Sequence, residues 1–469
     1  MTAAGSRLTR LWAVGTIVCT LASCGQPPDP SPTGDPSPAR VAAASAPRPA
    51  AARIVGPAEF APVYHLVEAA VAAGRLPGAV VQVGHGGEVV LRRAFGSRKL
   101  TGEPGLDGSP SPAEPMTEDT IFDLASLTKP LTTATAILRL HEDGLVRLDE
   151  PVQTYLPDFN PDRDPRRARV TLRMLLTHTS GIAGDLSLDG PWGLDRPDKA
   201  EGIRRALAAQ VVSEPGERFH YSDIGFILLG ALLEKITGEP EDVHVEKAIF
   251  DPLGMSDSYY LPVAKACGPH RVRGTAVAFD PAAGDVDECP PGSWHTALLA
   301  RVAPTALDED TPGRNPDFGH PLRGTVHDPT ARRMGGVAGS AGLFATAHDL
   351  GLYAQALLDR LAGRPSRFPL TRASALLMTT PQQPGDTGDL RGLGWDIDTA
   401  HSAPRGRIFP VGSFGHTGFT GTTLWLDPGS NTYVVVLANV IHVRGAPPIA
   451  NLSGEVATAS ARALGLYGN

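Results

Sequence analysis

Apolar residues along the chain follow two different spacings, which predict both helices and hairpins. In several stretches they recur every three or four residues, as in amphipathic helices. Other stretches are rich in β-branched residues and flank short polar or Gly-containing turns, as in hairpins. These patterns predict helices over 59–73, 224–236, 347–361 and 455–464, and hairpins that pair 79–84 with 89–95 and 422–426 with 432–439.

The stretch 122–131 predicts a short strand, a tight turn and the start of a helix that ends at Gly144. Pro130 fits the first turn of this helix, where its missing N–H group is not needed. The region 271–334 has little apolar periodicity and much Pro, Gly, Asp and His, so we expect long surface loops near a cleft. The small residues of 335–344 predict close backbone packing, because this stretch lacks the features of phosphate or dinucleotide loops.

The N-terminus predicts an exported protein. Arg7 and Arg10 precede the apolar run 11–21, which is too short to span a bilayer and resembles the core of a signal peptide. The sequence Leu-Ala-Ser-Cys that ends at Cys24 looks like a bacterial lipobox, so we expect a signal peptide over 1–23 and a lipid on Cys24. The alternative is an ordinary secretory signal with an incidental cysteine.

Residues 24–52 are mostly Pro, Ala, Ser and Asp and predict an unfolded tether from the membrane. The remainder, 53–469, is long enough for one large domain or a domain with an insertion. The formal net charge is −8, and an acidic chain without a basic run argues against binding to nucleic acid. In an extracytoplasmic compartment Cys267 and Cys289 could form a disulfide or remain two buried thiols, and the sequence leaves both open.

Ser126 and Lys129 are the strongest candidates for chemistry. They lie three residues apart in the predicted helix, so the Lys129 ammonium group can approach the Ser126 hydroxyl. The helix N-terminus adds partial positive charge, and both effects favour an activated alkoxide. The spacing S-x-x-K is the nucleophile motif of the penicillin-recognising serine hydrolases. The alternative is that Ser126 only caps the helix and Lys129 is solvated.

Tyr221, His178 and His141 are weaker candidates. A tyrosine in the predicted loop before the helix 224–236 can carry a proton if cationic neighbours lower its pKa, although alone it favours a structural interpretation. A structural role is also the favoured interpretation of both histidines. His141 has no second ligand at metal spacing.

Three motifs together carry a family resemblance. Ser126-Leu127-Thr128-Lys129, Tyr221-Ser222-Asp223 and His416-Thr417-Gly418 occur in this order. With the phrases at 175–181 and 335–339, they resemble the serine β-lactamase and D,D-peptidase superfamily. The resemblance is strongest to its class C-like branch of carboxypeptidases, esterases and β-lactamase-related lipoproteins. It covers nearly all of 53–469.

The resemblance implies an α/β (α+β) fold with a mostly antiparallel sheet flanked by helices and a largely helical region that carries Tyr221. It implies acylation of Ser126, with Lys129 and Tyr221 moving protons and the N–H groups of Ser126 and Phe419 forming an oxyanion hole. The segment 416–419, with His416, Thr417, Gly418 and Phe419, would hold the substrate. No metal or cofactor is implied, and we expect a monomer.

Two residues depart from the common family pattern. Asp223 stands where Asn is frequent, and His416 stands where Lys is frequent. An ionised Asp223 offers no N–H group to a substrate and raises the Lys129 pKa, while a neutral His416 attracts a carboxylate less than lysine does. Both changes favour neutral esters without excluding D,D-peptidase activity.

The resulting hypothesis is an envelope-anchored serine acyl hydrolase, whose substrate is a peptidoglycan peptide or a small ester. A β-lactamase ranks third. The alternative from another class is a non-catalytic peptidoglycan-binding lipoprotein with the same fold.

Overall fold

The computed structural model describes residues 56–468, except 285, 287, 386 and 387. The predicted signal peptide, Cys24 and tether lie outside these residues. The strands are β1 Gly78–His85, β2 Glu88–Lys99, β3 Glu114–Pro115, β4 Phe122–Asp123, β5 Tyr259–Tyr260, β6 Ala266–Cys267, β7 His270–Arg273, β8 Ala276–Phe279, β9 Trp294–His295, β10 Leu343–Ala345, β11 Leu390–Arg391, β12 Asp396–Asp398, β13 Phe414–Gly418, β14 Thr422–Asp427 and β15 Thr432–Ala438.

The helices surround these strands and include several short ones. They are α1 Ala61–Ala72, α2 Thr135–Glu142, α3 Val152–Tyr155, α4 Leu172–Leu176, α5 Lys199–Leu207, α6 Asp223–Thr237, α7 Glu241–Val245, α8 Asp251–Leu253, α9 Pro329–Arg333, α10 Ala347–Leu361, α11 Arg372–Thr379 and α12 Ala450–Ala463. A 3₁₀ turn, Ala125–Leu127, and a π-helix, Lys129–Ala134, precede α2. No helix among the described residues is long and apolar enough to cross a membrane.

An antiparallel sheet forms the centre of the fold. Within the described residues its strand order is β11-β12-β13-β14-β15-β1-β2-β3, so the N-terminal hairpin pairs with the C-terminal strands through β1 and β15. Successive residues of β15 point to opposite faces. Val434 and Val436 pack in the cluster that includes residues of α1 and α12, whereas Val435 and Leu437 pack in the larger cluster with residues of α2, α6 and α10. The predicted fold class is therefore confirmed.

Most of the predicted helices lie where local sequence signals at their starts and ends indicated. Gly238 ends α6 with a φ of 72°, and the Thr346 hydroxyl caps α10 by accepting from the Asp349 N–H group. The last helix begins at Ala450, five residues before the predicted start. Small and polar residues hide the helical spacing there, and Gly454 is needed because a Cβ at this position would lie 2.3 Å from the Ala403 carbonyl oxygen.

The expectation of loops alone over 271–334 was wrong. Strands β7 and β8 form a hairpin, with Arg273 opposite Ala276. The two strands span only four residues each, and β7 is at least partly exposed along its length, so no apolar alternation marked it. Nearby, Cys267 and Cys289 form a disulfide, which decides between the two alternatives. Closing a loop of 22 residues in this way contributes about 3 kcal/mol to stability.

Candidate active site

Ser126 sits in a tight turn that Asp123 holds in place. The buried Asp123 carboxylate ends β4 and accepts a 2.9 Å hydrogen bond from the Ala125 N–H group. Ala125 has a φ of +47°, a left-handed conformation that costs free energy for a residue with a Cβ. This bond offsets the strain and sets Ser126, which is half-buried, at the start of the following helix.

Lys129 is fully buried and in contact with Ser126. Its Nζ atom donates to the Ser126 Oγ atom and to the Ser340 carbonyl oxygen, both at 2.9 Å, and lies 2.6 Å from the Asp223 Oδ1 atom. Burial alone would lower the pKa of Lys129, but the charge of Asp223 and the nearby Tyr221 outweigh burial and raise it. Lys129 is therefore an ammonium ion at neutral pH.

Close backbone packing delivers the Ser340 carbonyl to Lys129. A Cβ at Gly339 would lie 2.2 Å from the Phe226 carbonyl oxygen of α6, so only glycine allows this approach. The packing predicted for 335–344 is thus present beside Ser126 and Lys129.

Tyr221 lies just before α6 and points towards Lys129. Its ring centroid is 5.1 Å from the Lys129 Nζ atom, and its hydroxyl is buried without a well-aligned hydrogen bond among the described residues. Burial raises the pKa of Tyr221, while the Lys129 charge and the Ser126 hydroxyl act in the opposite direction. Tyr221 is therefore a neutral phenol beside both side chains.

The end of β13 packs directly on the turn that carries Ser126. A Cβ at Gly418 would lie 2.3 Å from the Leu124 carbonyl oxygen. The Thr420 and Thr422 hydroxyls donate to the Asp123 and Leu124 carbonyl oxygens at 2.7 and 3.1 Å. These contacts bring the segment 416–419 to the same side as Ser126.

His416 is buried and neutral at physiological pH. Burial lowers its pKa well below the usual value, and the charges of Arg391 and Lys129 act in the same direction. Its Nδ1 atom is 2.7 Å from the Thr417 carbonyl oxygen. The side chain therefore brings no positive charge to the site.

A cavity of about 200 Å³ joins these groups, and it adds three residues that the sequence did not suggest. Its lining consists of Ser126, Tyr221, Arg391, Asp396, His401, His416, Thr417 and Phe419. Of the other predicted site residues, Lys129 contacts Ser126, and Asp223 contacts Lys129. Gly418 lies between Thr417 and Phe419 in the sequence. Cys24 is outside the described residues. No group of three or more His, Cys, Asp or Glu residues in the described chain could hold a metal ion.

Arg391 is the most unusual of the added residues. It is only 1% exposed, and its Nη1 atom is 3.8 Å from the Asp396 Oδ1 atom. Its Nε and Nη2 atoms have no hydrogen-bond partner in the described part of the chain. Burial lowers its pKa, although an arginine stays charged at any physiological pH. Buried guanidinium N–H groups without hydrogen-bond partners are costly and mark a place where an anion would be stabilised.

The Beta-lactamase family model matches residues 63–450, which is most of the chain. The chain belongs to this family. It is a serine hydrolase of the β-lactamase family, which confirms the resemblance. Among curated relatives, a protein named "Putative D-alanyl-D-alanine carboxypeptidase" from Escherichia coli K12 is 30% identical over 375 residues, covering 78% of each chain. The N-acetylmuramyl-L-alanine amidase of Bacillus subtilis is 30% identical over 390 residues, covering 81% of this chain and 80% of its own length.

Solved structures show the same fold at lower identity. A penicillin-binding protein homologue from Caulobacter crescentus has a TM-score of 0.61 and 21% identity, covering 87% of this chain and 98% of its own. EstCE1, described as a hydrolase with promiscuous acyltransferase activity, has a TM-score of 0.59 and 22% identity, covering 86% and 98%.

In this member of the family, the sequence signal for the added cavity residues was weak. Arg391 stands among apolar and glycine residues, which hints at burial but not at a site. Arg391 and Asp396 face each other only because β11 pairs with β12 in that register. Pairing between short edge strands cannot be deduced from residue types.

Proposed function

We propose that the protein is a D,D-carboxypeptidase-like hydrolase that acts on peptides with a free terminal carboxylate. The carrying observation is Arg391, a buried guanidinium in the same cavity as Ser126 with two nitrogen atoms that have no hydrogen-bond partner among the described residues. The related protein named a D-alanyl-D-alanine carboxypeptidase supports this choice of substrate class.

Arg391 offers a positive charge that can bind a carboxylate, and His416 lacks such a charge. A guanidinium presents parallel N–H donors that match a carboxylate, and such charge-assisted bonds are about twice as strong as neutral ones. His416 is neutral here and cannot attract a carboxylate by charge. A carboxylate entering the cavity would give Arg391 the partner that Asp396, at 3.8 Å, supplies only weakly.

Ser126 would attack the substrate carbonyl carbon and form an acyl-enzyme. Its proton would pass to deprotonated Lys129, directly or through the Tyr221 hydroxyl, and the protonated Lys129 would return a proton to the leaving amine by the same route. The N–H groups of Ser126 and Phe419 would stabilise the oxyanion, each contributing roughly 3 to 4 kcal/mol. Water would then attack the acyl-enzyme and release the acid. Since Lys129 is charged at rest, it must lose its proton before it can act as a base.

An esterase is the second candidate, and the Asp223–Lys129 pair favours it. Asp223 accepts hydrogen bonds only, so it cannot donate to the carbonyl oxygen of a peptide or β-lactam. An ester also needs a weaker nucleophile than an amide does. EstCE1 supplies a fold precedent for a hydrolase with acyltransferase activity.

The experiment that tests the proposal compares two matched substrates, a peptide ending in a free D-Ala-D-Ala carboxylate and the same peptide with a terminal amide. Arg391→Met keeps an unbranched apolar stem and removes the guanidinium and its charge. We expect kcat/KM to fall at least about tenfold for the acid, since a bond to a charged group contributes roughly 1.5 to 3 kcal/mol. The value for a neutral p-nitrophenyl ester should stay within about twofold.

Equal losses on all substrates would show that Arg391 acts through folding rather than through the carboxylate. A wild-type enzyme that turns over the ester and neither peptide would support the esterase. Rapid turnover of a chromogenic cephalosporin would support a β-lactamase. No adduct on the Ser126 peptide from either a fluorophosphonate or a fluorescent penicillin would support the non-catalytic peptidoglycan-binding protein.

We also propose that the hydrolase works outside the cytoplasm on a lipid anchor, as a monomer. The leader 1–23 and Cys24 support export and lipidation, and the Cys267–Cys289 disulfide supports an oxidising compartment. Two or three acyl chains on Cys24 would anchor the chain firmly, since each buried methylene contributes roughly 0.8 kcal/mol.

Cys24→Ala is expected to release the protein from membranes or stall its processing. The wild-type chain should partition into detergent and begin at Cys24, as measured by Triton X-114 phase separation and intact mass spectrometry. A water-soluble wild-type protein that is cleaved at another position would contradict the lipid anchor.

A further inference from the structure

His178 has a strained backbone directly behind Tyr221. It is fully buried and has a φ of +57°, a left-handed conformation that is rare for a residue with a large side chain. Strain of this kind persists only where the surrounding contacts determine it, and it is frequent near functional sites.

His178 accepts two hydrogen bonds, one from each of the residues that flank Tyr221 in the sequence. The His178 carbonyl oxygen accepts from the His220 N–H group at 2.7 Å. Its Nδ1 atom accepts from the Ser222 N–H group at 3.0 Å. The imidazole ring also stacks on the Tyr221 ring, with centroids 4.2 Å apart and planes 23° apart. One residue thus fixes both the backbone and the ring plane of Tyr221.

His178 can hold Tyr221 in this way only as a neutral ring. Nδ1 accepts a hydrogen bond, so the ring proton must be on Nε2. Burial lowers the His178 pKa well below its usual value, and the charges or partial charges of Arg391, Lys129, His416 and His401 act in the same direction. The ring therefore stays neutral across the range in which the enzyme would work.

The Tyr221 hydroxyl itself lies close to Ser126 and Lys129. It has no well-aligned hydrogen bond among the described residues. The hydroxyl of the neighbouring Ser222 caps α6 and is not free to bind Tyr221. It accepts from the Gly225 N–H group at 3.1 Å and donates to the Ala183 carbonyl oxygen at 2.7 Å. Of the rings around Tyr221, His178 is the nearest, at 4.2 Å between centroids, whereas His401 and His416 lie 6.0 and 6.2 Å away. We therefore expect the position of the phenol to depend mainly on the contacts that His178 makes.

We propose that His178 is a positioning residue that holds the Tyr221 hydroxyl against Ser126 and Lys129 for proton transfer. The inference rests on the proposed acyl transfer at Ser126 but not on the identity of the substrate. His178 itself is not among the residues that line the cavity.

A matched pair of variants of the full chain tests this. In His178→Asn the amide oxygen occupies the place of Nδ1 and can accept from Ser222, and asparagine tolerates a positive φ. His178→Leu has nearly the same shape as the asparagine variant but no acceptor. His178→Gly also lacks the acceptor and removes the backbone strain, so it serves if the leucine variant does not fold. His442→Asn is the control, since this buried histidine pairs with Glu103 at 2.7 Å and does not line the cavity.

The readouts are the rate of Ser126 labelling by a fluorophosphonate, and kcat and KM for a p-nitrophenyl ester. We expect the leucine and glycine variants to lose at least thirtyfold in labelling rate and in kcat, with KM within about twofold. His178→Asn should restore both rates to within about fivefold of wild type, and His442→Asn should match wild type.

Two results would overturn the proposal. One is wild-type labelling in the leucine or glycine variant, which would leave the nucleophile at Ser126 intact. The other is an equal loss in the asparagine and leucine variants, which would mean that His178 acts only through folding. No labelling of wild-type Ser126 would contradict the proposed nucleophile itself, and the role of His178 with it.

Discussion

Ser126→Ala is expected to reduce turnover by at least about four orders of magnitude, because residues that act as one catalytic unit fail together. The fold should survive, since Lys129 keeps its contacts with the Ser340 carbonyl oxygen and Asp223. Turnover of a p-nitrophenyl ester and of a D-Ala-D-Ala peptide measures the loss. Thermal unfolding and circular dichroism check that the variant is folded.

Lys129→Ala provides the companion measurement and should be nearly as severe. Unlike the serine variant, it removes the partner of Asp223 at 2.6 Å, so a loss of stability is expected as well. Lys129→Met removes the same partner but keeps most of the buried volume, so its loss of stability should be smaller. Turnover within tenfold of wild type in a folded variant at either position would contradict the assignment of Ser126 and Lys129.

The order of the three motifs was enough to predict the fold class and the meeting of distant segments. Ser126, Tyr221 and Thr417 line one cavity although almost 300 residues separate the first from the last. Helix positions were also predictable where a strong period ended at a clear stop, as in α6 at Gly238.

The residues that the sequence did not suggest depend on tertiary contacts. Arg391 reaches the cavity through the register of β11 with β12, and His178 contacts Tyr221 through the fold of two separate loops. The sequence favoured a structural role for His178, but it could not identify the atoms that its ring contacts. The identity of a single residue does not indicate which distant residue it will contact in the folded chain.

Asp223 is the position where the chain departs most clearly from the common motif, and its charge controls Lys129. The Asp223 Oδ1 atom is 2.6 Å from a lysine that is otherwise fully buried. Burial favours neutral Lys129, whereas Asp223 favours its charged form, and the net effect is a raised pKa. A general base must be neutral, so we expect Asp223 to shift the onset of activity towards higher pH if Lys129 is the base.

Asp223→Asn should move the acid limb of the pH–rate profile to lower pH. With the negative charge removed, burial dominates and the Lys129 pKa falls. Neutral Lys129, the form that can act as a base, is then present at a lower pH. A neighbouring opposite charge shifts a pKa by roughly 1 to 3 units, and we expect a displacement of about two pH units here. The measurement is kcat/KM against pH for a p-nitrophenyl ester.

The same substitution should change substrate preference. Asparagine restores an N–H donor that can bind the carbonyl oxygen of an amide or β-lactam, whereas a small ester can be held by the oxyanion hole alone. We therefore expect Asp223→Asn to raise kcat/KM for a chromogenic β-lactam relative to the ester by at least about tenfold, the value of one hydrogen bond of roughly 1.5 kcal/mol. Asp223→Leu, which removes the charge without adding a donor, should shift the pH profile but not the substrate ratio. An unchanged ratio together with an unchanged acid limb in Asp223→Asn would mean that Asp223 is protonated or turned away in the working enzyme, and that it does not control the base.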